Sequence, residues 1–574
     1  MFEIVKVGHQ KVLGEVIKIT GNKVAIQTFE SPSGLRVGDP VKSTGEVLCI
    51  ELGPGLLDHI FDGIQRPLKT IHDKLDLLYI PKGISISSLD RDKEWDFQPH
   101  ILKVGDEVTG GDIYGTVQET KLVHHKLMVP PNAMGRINYI APPGNYHVND
   151  VVLELEFGEK KTEYTMVQLW AVRKPRPVAE RIPPTRPLFT QLRALDSLYP
   201  IAQGGTVTIP GAAGCGKNTI LYFMSKCSNS DVVVQVGCGE RSSEVTEVLL
   251  DFPEMVIKNG QENVRLMERT TLFANTSNMA ISGRETSIFS GITVAEYYRD
   301  QGYNVSLLAD STSRWAEAVR EISSRIGETP GDDGYPAYMQ SRLASFYNRA
   351  CRAVCLGGPE REGSVTILGT VSPVGGDFSE PFTAMTMSLA NVFWKLDIQL
   401  ARRKHFPSID WLNSHSNYIE LFEESGYNNA EPQYQDLRRK LMKIFQEEEM
   451  LKPSVMVMGK GELKEHQKIT LEISALLREG FLQQNVFSLE DSFCPLWKTI
   501  WMMKNYVTYH ELAQEALKSP FHDPPLDWKT IKSKTSELFN RLYLQKFQNP
   551  RNELESLAWF AQFNQDIVKA FDNL

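Results

Sequence analysis

The residues best suited to chemistry lie in one stretch, Gly211-Ala212-Ala213-Gly214-Cys215-Gly216-Lys217-Asn218-Thr219. Glycines let a backbone curl until several N–H groups point inward, which suits the wrapping of phosphate oxygens. An apolar run, Thr206-Val207-Thr208-Ile209, precedes the stretch, and a helix-like run from Thr219 to Met224 follows it. Strand, glycine loop, lysine and helix in this order make a P-loop. Gly211, Gly214, Cys215 and Gly216 then offer backbone groups, and the helix start adds positive dipole at the same place. Lys217 would reach the terminal phosphates. The next position usually holds Ser or Thr, whose hydroxyl ligates Mg²⁺. Here it holds Asn218, whose amide oxygen is a neutral ligand. A plain glycine turn is the bland alternative, and Asn suits a helix start. The flanking strand and helix favour phosphate.

Two further stretches carry charge at strand ends. Asp310 closes the apolar run Val305-Ser306-Leu307-Leu308-Ala309. A carboxylate so placed can hold Mg²⁺, usually through water. Glu240 and Arg241 follow Gly237-Cys238-Gly239, after the run Val232–Val236. A carboxylate there could orient a water for attack on a phosphate, and an arginine could stabilise charge on phosphate oxygens. By itself an adjacent Glu-Arg pair is more often a solvated surface.

These residues need a scaffold. Near-continuous apolar strands alternating with helices indicate a parallel sheet covered on both faces. Ligands bind beyond the carboxyl ends of such strands. Gly211, Gly239 and Asp310 fall at or just past such ends, so one pocket is expected around them. At 574 residues the chain needs several domains. The expected class is multidomain α/β. Residues 1–68 read as a β-barrel with a hairpin turn at Gly21-Asn22, and residues 69–188 as a strand-rich insertion and connector. Residues 189–425 read as the P-loop, RecA-like sheet domain, and residues 426–574 as a helical domain. Leu437, Leu441, Ile444 and Phe445 form one helical stripe, Ile469, Ile473, Leu476 and Leu477 another, and Leu557, Phe560, Phe563, Ile567 and Phe571 a third.

Composition excludes some classes. With 62 Lys+Arg against 71 Asp+Glu, the net charge is −9, which opposes a broad nucleic-acid surface. No long apolar run suggests a membrane span or a secretion signal, so a cytosolic protein is expected. The seven cysteines are scattered and lack paired metal spacing.

The resemblance becomes specific when the motifs are combined. Gly239-Glu240-Arg241 after the P-loop, with Ala309-Asp310-Ser311-Thr312-Ser313-Arg314-Trp315-Ala316-Glu317-Ala318, resembles the rotary ATPases. Phe61-Asp62-Gly63-Ile64-Gln65-Arg66-Pro67-Leu68, Pro142-Pro143-Gly144-Asn145-Tyr146 and Gly334-Tyr335-Pro336-Ala337-Tyr338 narrow it. The chain is similar, over nearly its whole length, to the catalytic A subunits of eukaryotic V-type proton-transporting ATPases. The resemblance implies ATP hydrolysis with Mg²⁺ at A–B interfaces of a hexamer of three A and three B subunits. It implies central and peripheral stalk partners, a separate membrane proton-channel sector, and a place on the cytosolic face of vacuole, lysosome or endosome membranes. It assigns Glu240 to water activation, Arg241 to a γ-phosphate contact, and Asp310 with Asn218 to Mg²⁺. Phe406 and Phe487 match adenine-stacking aromatics, and Arg325 is a candidate phosphate-sensing arginine.

It also matches Cys215 and Cys494 to an inhibitory disulfide, and the helix start and Lys217 are expected to lower the Cys215 pKa. Two departures stand out. The family has Thr where this chain has Asn218, and a bulky aromatic where it has Ala213. The first barrel strands read as missing. An alternative follows: an A-like paralogue that binds nucleotide but turns it over poorly, in a structural or regulatory role. A Rho-like RNA translocase is disfavoured by the acidic balance.

Overall fold

The computed structural model describes residues 2–75, 80–259, 262–420, 433–488, 490–518 and 527–574. The expected boundary near residue 425 lies outside the described residues. The chain divides into two compact units. One comprises Met1–Pro184, Gln203–Pro210 and Ser230–Ala390, and the other Thr185–Ala202, Gly211–Asn229 and Asn391–Leu574.

The first unit opens with an antiparallel sheet built from Glu3–Val7, Val12–Thr20, Lys23–Thr28 and Val41–Val47. Gly21-Asn22 makes the expected tight turn, with Thr20 opposite Lys23. The insertion forms two four-stranded antiparallel sheets. Its strands alternate: in Glu94–Pro99, Trp95 and Phe97 are buried between exposed Glu94, Asp96 and Gln98. Trp95, Phe97, Tyr114, Leu127, Ile137 and Leu155 share one core between the sheets.

A buried carboxylate ties the insertion to the rest of this unit. Glu119 Oε1 accepts the N–H groups of Gly55, Leu56 and Leu57 at 2.8, 2.9 and 3.1 Å. Its Oε2 lies 2.7 Å from His125 Nδ1, and His125 Nε2 lies 2.8 Å from the Tyr297 hydroxyl. Burial alone would raise the Glu119 pKa, but the imidazole and the backbone donors outweigh it and hold the group below its ordinary value.

The main sheet of this unit is parallel. Its order is Thr206–Pro210, Glu362–Val371, Asn304–Asp310, Val232–Glu240, Thr270–Thr276 and the short Ile60–Phe61. Val232, Val234, Val236, Val305, Leu307, Val365 and Ile367 are buried, as a sheet covered on both faces requires. The helix Ile281–Asp300 is buried over nearly its whole length. Its ionic groups are therefore paired: Glu296 with Arg349 at 2.5 Å, and Glu285 with Arg173 at 2.7 Å.

One strand runs further than its apolar run indicates. Val232–Glu240 does not stop at Gly237 but keeps pairing to Glu240, which lies opposite Thr276. The register shifts between Cys238 and Glu240, and Gly239 adopts φ 71° there. A bulge of this kind bends the strand and re-aims the next side chain. A side chain at Gly239 would also collide with Arg284, whose Nε lies 2.5 Å from the ideal Cβ position.

The second unit is largely helical. Its long helices are Tyr434–Met458, Glu465–Leu477, Leu496–Lys518 and Glu553–Asp572. Leu437, Leu441, Ile444, Phe445, Ile469, Ile473, Leu477, Phe560, Phe563 and Ile567 are buried and form core faces, while Leu476, Leu557 and Phe571 lie half-buried at the edges of their stripes. Among the described residues no helix is long and apolar enough to cross a membrane.

Candidate active site

The glycine loop is shaped as its composition demands. Gly214 and Gly216 take φ of 82° and 84°, which side-chain-bearing residues rarely adopt. The helix Lys217–Cys227 starts directly after Gly216 without a side-chain cap, so its first N–H groups remain available to an anion. Lys217 is buried, and its ammonium donates to the carbonyls of Gly211 at 2.6 Å and Ala212 at 3.1 Å. The loop thus holds its own lysine in the place where phosphate oxygens would bind. Ser408 Oγ donates to the Cys215 carbonyl at 2.6 Å and fixes the loop from outside. Asn218 is exposed in the first helical turn, and Thr219 beside it is half-buried.

The two aromatic candidates flank the loop's own unit differently. The Phe406 ring comes within 3.9 Å of the ideal Cβ position of Gly216, so it lies against the loop. Phe487 is 92% exposed, with a full aromatic face open to solvent. Gln484 N–H donates to the Phe406 carbonyl at 2.7 Å, which joins the two loops that carry these rings.

The Cys215 expectation needs correction. Burial pushes the thiol pKa up and outweighs the Lys217 charge that would lower it. Cys215 and Cys494 are both buried free thiols, and the Thr499 hydroxyl lies 3.3 Å from Cys494 Sγ.

In the other unit, Glu240 and Asp310 end neighbouring parallel strands, with Gly237 opposite Asp310. Asp310 is buried and accepts the Thr370 hydroxyl at 2.7 Å. Glu240 Oε1 is buried without a hydrogen-bond partner. Burial, then the Asp310 charge, then a hydrogen bond shared with Glu244 raise the Glu240 pKa far above the carboxylate range, while Arg314 pulls it down. Paired acids with an orphaned buried oxygen suit a divalent cation, which would relieve their repulsion. Among the described residues no group of three His, Cys, Asp or Glu could hold a metal unaided.

Arg241 is exposed at the start of the helix Ser242–Glu254. Arg325 is exposed and paired with Glu321 at 2.5 Å. Three residues escaped the sequence reading. Glu244 lies in the first turn of that helix, where an acidic residue favours the helix start, and no period within one element links it to Glu240, which ends a strand. Arg284 sits under Gly239 with its Nη2 on the Ser277 carbonyl at 3.0 Å, and Arg314 lies within electrostatic reach of Glu240. Arg314 falls inside the run Ala309–Ala318 that carries the resemblance but gives it no role of its own, and nothing local in the sequence marks Arg284.

Fold and loop together define a nucleotide-binding ATPase class. Residues 191–416 match the ATP synthase alpha/beta family nucleotide-binding domain. Residues 1–45 match its beta-barrel domain, 86–173 its barrel-sandwich domain, and 423–522 the C-terminal domain of V and A type ATP synthase. A solved structure of the assembled ATPase EscN, from the type III secretion system of enteropathogenic E. coli, has a TM-score of 0.62. It covers 88% of this chain and 95% of its own at 21% identity, which bears on the fold alone.

Curated relatives are more specific. The catalytic A subunit of the V-type proton ATPase of Manduca sexta is 52% identical over 577 residues, spanning 100% of this chain and 93% of the relative. Isoform 2 of the Drosophila melanogaster counterpart is 51% identical, over 100% of this chain and 94% of the relative. The Beta vulgaris counterpart is also 51% identical, over 100% and 93%. The chain belongs to the family of V-type proton ATPase catalytic A subunits.

Proposed function

We propose that this chain hydrolyses Mg-ATP as the catalytic A subunit of a V-type rotary ATPase and that the hydrolysis drives protons across a membrane. The observation that carries the reading is end-to-end identity of 52% with such subunits in a chain that keeps Lys217, Glu240, Arg241 and Asp310. Three copies would alternate with three B subunits, joined to central and peripheral stalks and a membrane proton-channel sector. The assembly would lie on the cytosolic face of endomembranes.

The roles follow from chemistry. Backbone N–H groups of Gly214, Cys215, Gly216 and Lys217 bind phosphate oxygens, and Lys217 exchanges its loop carbonyls for the terminal phosphates. Gly211 gives the loop its first turn, and Thr219 continues the helix start. Phe406 and Phe487 stack on adenine. Glu240, in its ionised form, accepts a hydrogen bond from the attacking water and aims it, with Arg314 the charge that favours that form. Arg241 contacts the γ-phosphate, and an arginine from the partner subunit supplies the remaining transition-state charge. Asp310 and Asn218 would hold Mg²⁺, which neutralises charge on the phosphate oxygens when bound.

The test is to assemble the chain with B and stalk subunits and measure Mg-ATPase activity, with and without Asn218→Thr. Turnover that depends on Lys217 and Glu240 supports the reading. ATP binding without turnover in both versions opposes it.

A further inference from the structure

Among the described residues, the loop that carries Phe487 has no sheet or long helix of its own, so something must hold it. A buried ionic pair does. Arg193 and Asp491 are both buried and bonded to each other through Arg193 Nη1. The rest of the guanidinium is spent on the same loop: Nε donates to the Phe481 carbonyl at 2.9 Å and Nη2 to the Gln483 carbonyl at 2.8 Å. The Arg193 backbone N–H donates to Gln484 Oε1 at 3.0 Å.

From this pair two arms reach the aromatic residues. In one, Gln484 N–H donates to the Phe406 carbonyl at 2.7 Å. In the other, Asp491 Oδ2 accepts the Asn485 N–H at 2.8 Å, and Asn485 Oδ1 accepts the Phe487 N–H at 3.0 Å. The floor is equally fixed. Gln191 adopts φ 64°, uncommon for a residue with a side chain, and its carbonyl accepts Gln484 Nε2 at 3.1 Å and Cys494 N–H at 3.0 Å. A buried charge pair with its remaining donors satisfied acts more by fixing geometry than by adding stability. That fits a device whose task is to place two rings.

We propose that the Arg193–Asp491 pair is a positioning element for the base end of the nucleotide site, setting affinity for adenine without touching phosphate. The proposal rests on the reading of Phe406 and Phe487 as base-stacking residues.

The test uses the full chain with two probes: Mg-ATP, and Mg-tripolyphosphate, which has phosphates and no base. Three variants are compared: Asp491→Asn, the exposed Asn485→Ala, and Phe487→Ala. Each should weaken ATP binding about tenfold, the scale of one base-stacking contact, and leave tripolyphosphate affinity unchanged. If Phe487→Ala leaves ATP affinity intact, the stacking reading fails and the proposal falls with it. If Phe487→Ala weakens ATP but Asp491→Asn and Asn485→Ala do not, the positioning role alone is refuted. Equal weakening of both probes by a folded Asp491→Asn also refutes it, since the pair would then support the whole site. Should Asp491→Asn fail to fold, Asn485→Ala decides, because it removes no buried charge.

Discussion

Consider Glu240→Gln in the nucleotide-free chain. Burial, Asp310 and Glu244 push the Glu240 pKa from 4.5 up to about 9. Below pH 4.5 the carboxyl is protonated in folded and unfolded chains alike and costs nothing. Between that pH and the folded pKa, the unfolded chain ionises and the folded site resists, so stability is lost as pH rises. Each unit is worth about 1.4 kcal/mol, and pH 7 lies about 2.5 units above the ordinary value, which sets a ceiling of about 3–4 kcal/mol. Partial exposure screens the effect, so about 1–3 kcal/mol is expected. Glutamine has the same shape and never ionises. The variant should therefore melt with the parent near pH 4.5 and above it by a few degrees at pH 8, at about 2 °C per kcal/mol for a unit of this size.

The same change should cut turnover by roughly 10²–10⁴, the usual worth of a positioned general base. The assay is calorimetry of the full chain from pH 4.5 to 8.5, beside Mg-ATPase activity of the assembled enzyme. A melting difference that does not grow with pH, or a variant less stable than the parent at pH 8, would refute the argument.

Other expectations concern separate parts of the molecule. Lys217→Ala should abolish measurable Mg-ATP turnover, and it also deprives the Gly211 and Ala212 carbonyls of their donor, so loop protection in hydrogen exchange should fall. Cys215 should react slowly with a maleimide at pH 7, more slowly than the half-buried Cys49 and Cys227, because its thiol is buried and its pKa raised; fast labelling by mass spectrometry would contradict this. Glu119→Ala should lower stability by about 3–5 kcal/mol, because it leaves three buried N–H groups and the His125 ring without their acceptor, as read from chemical denaturation.

The core strands were legible because a strand buried on both faces must be apolar at every position, as Val232–Val236 and Val305–Ala309 are. The helical stripes were legible for the matching reason of period. The last residues of Val232–Glu240 were not, since two glycines read as a stop rather than as a bulged continuation that re-aims Glu240. Weighing Cys215 from its helix start and Lys217 omitted burial, which sequence does not display. The charge pairs were hidden by distance along the chain: Arg193 and Asp491 are 298 positions apart, and no local pattern links them. Glu244 was hidden too, because it opens the helix after the strand that Glu240 ends, and no single period links the two.

The central claim is that this chain couples ATP hydrolysis to proton movement. It is tested most directly by reconstituting the complete assembly, with this chain in the catalytic position, into sealed vesicles and following lumenal pH after adding Mg-ATP. Acidification that is lost with Glu240→Gln, while the assembly still forms, is the predicted result. An assembled complex that binds ATP but never acidifies the vesicles, with the parent chain no better than Glu240→Gln, would contradict it.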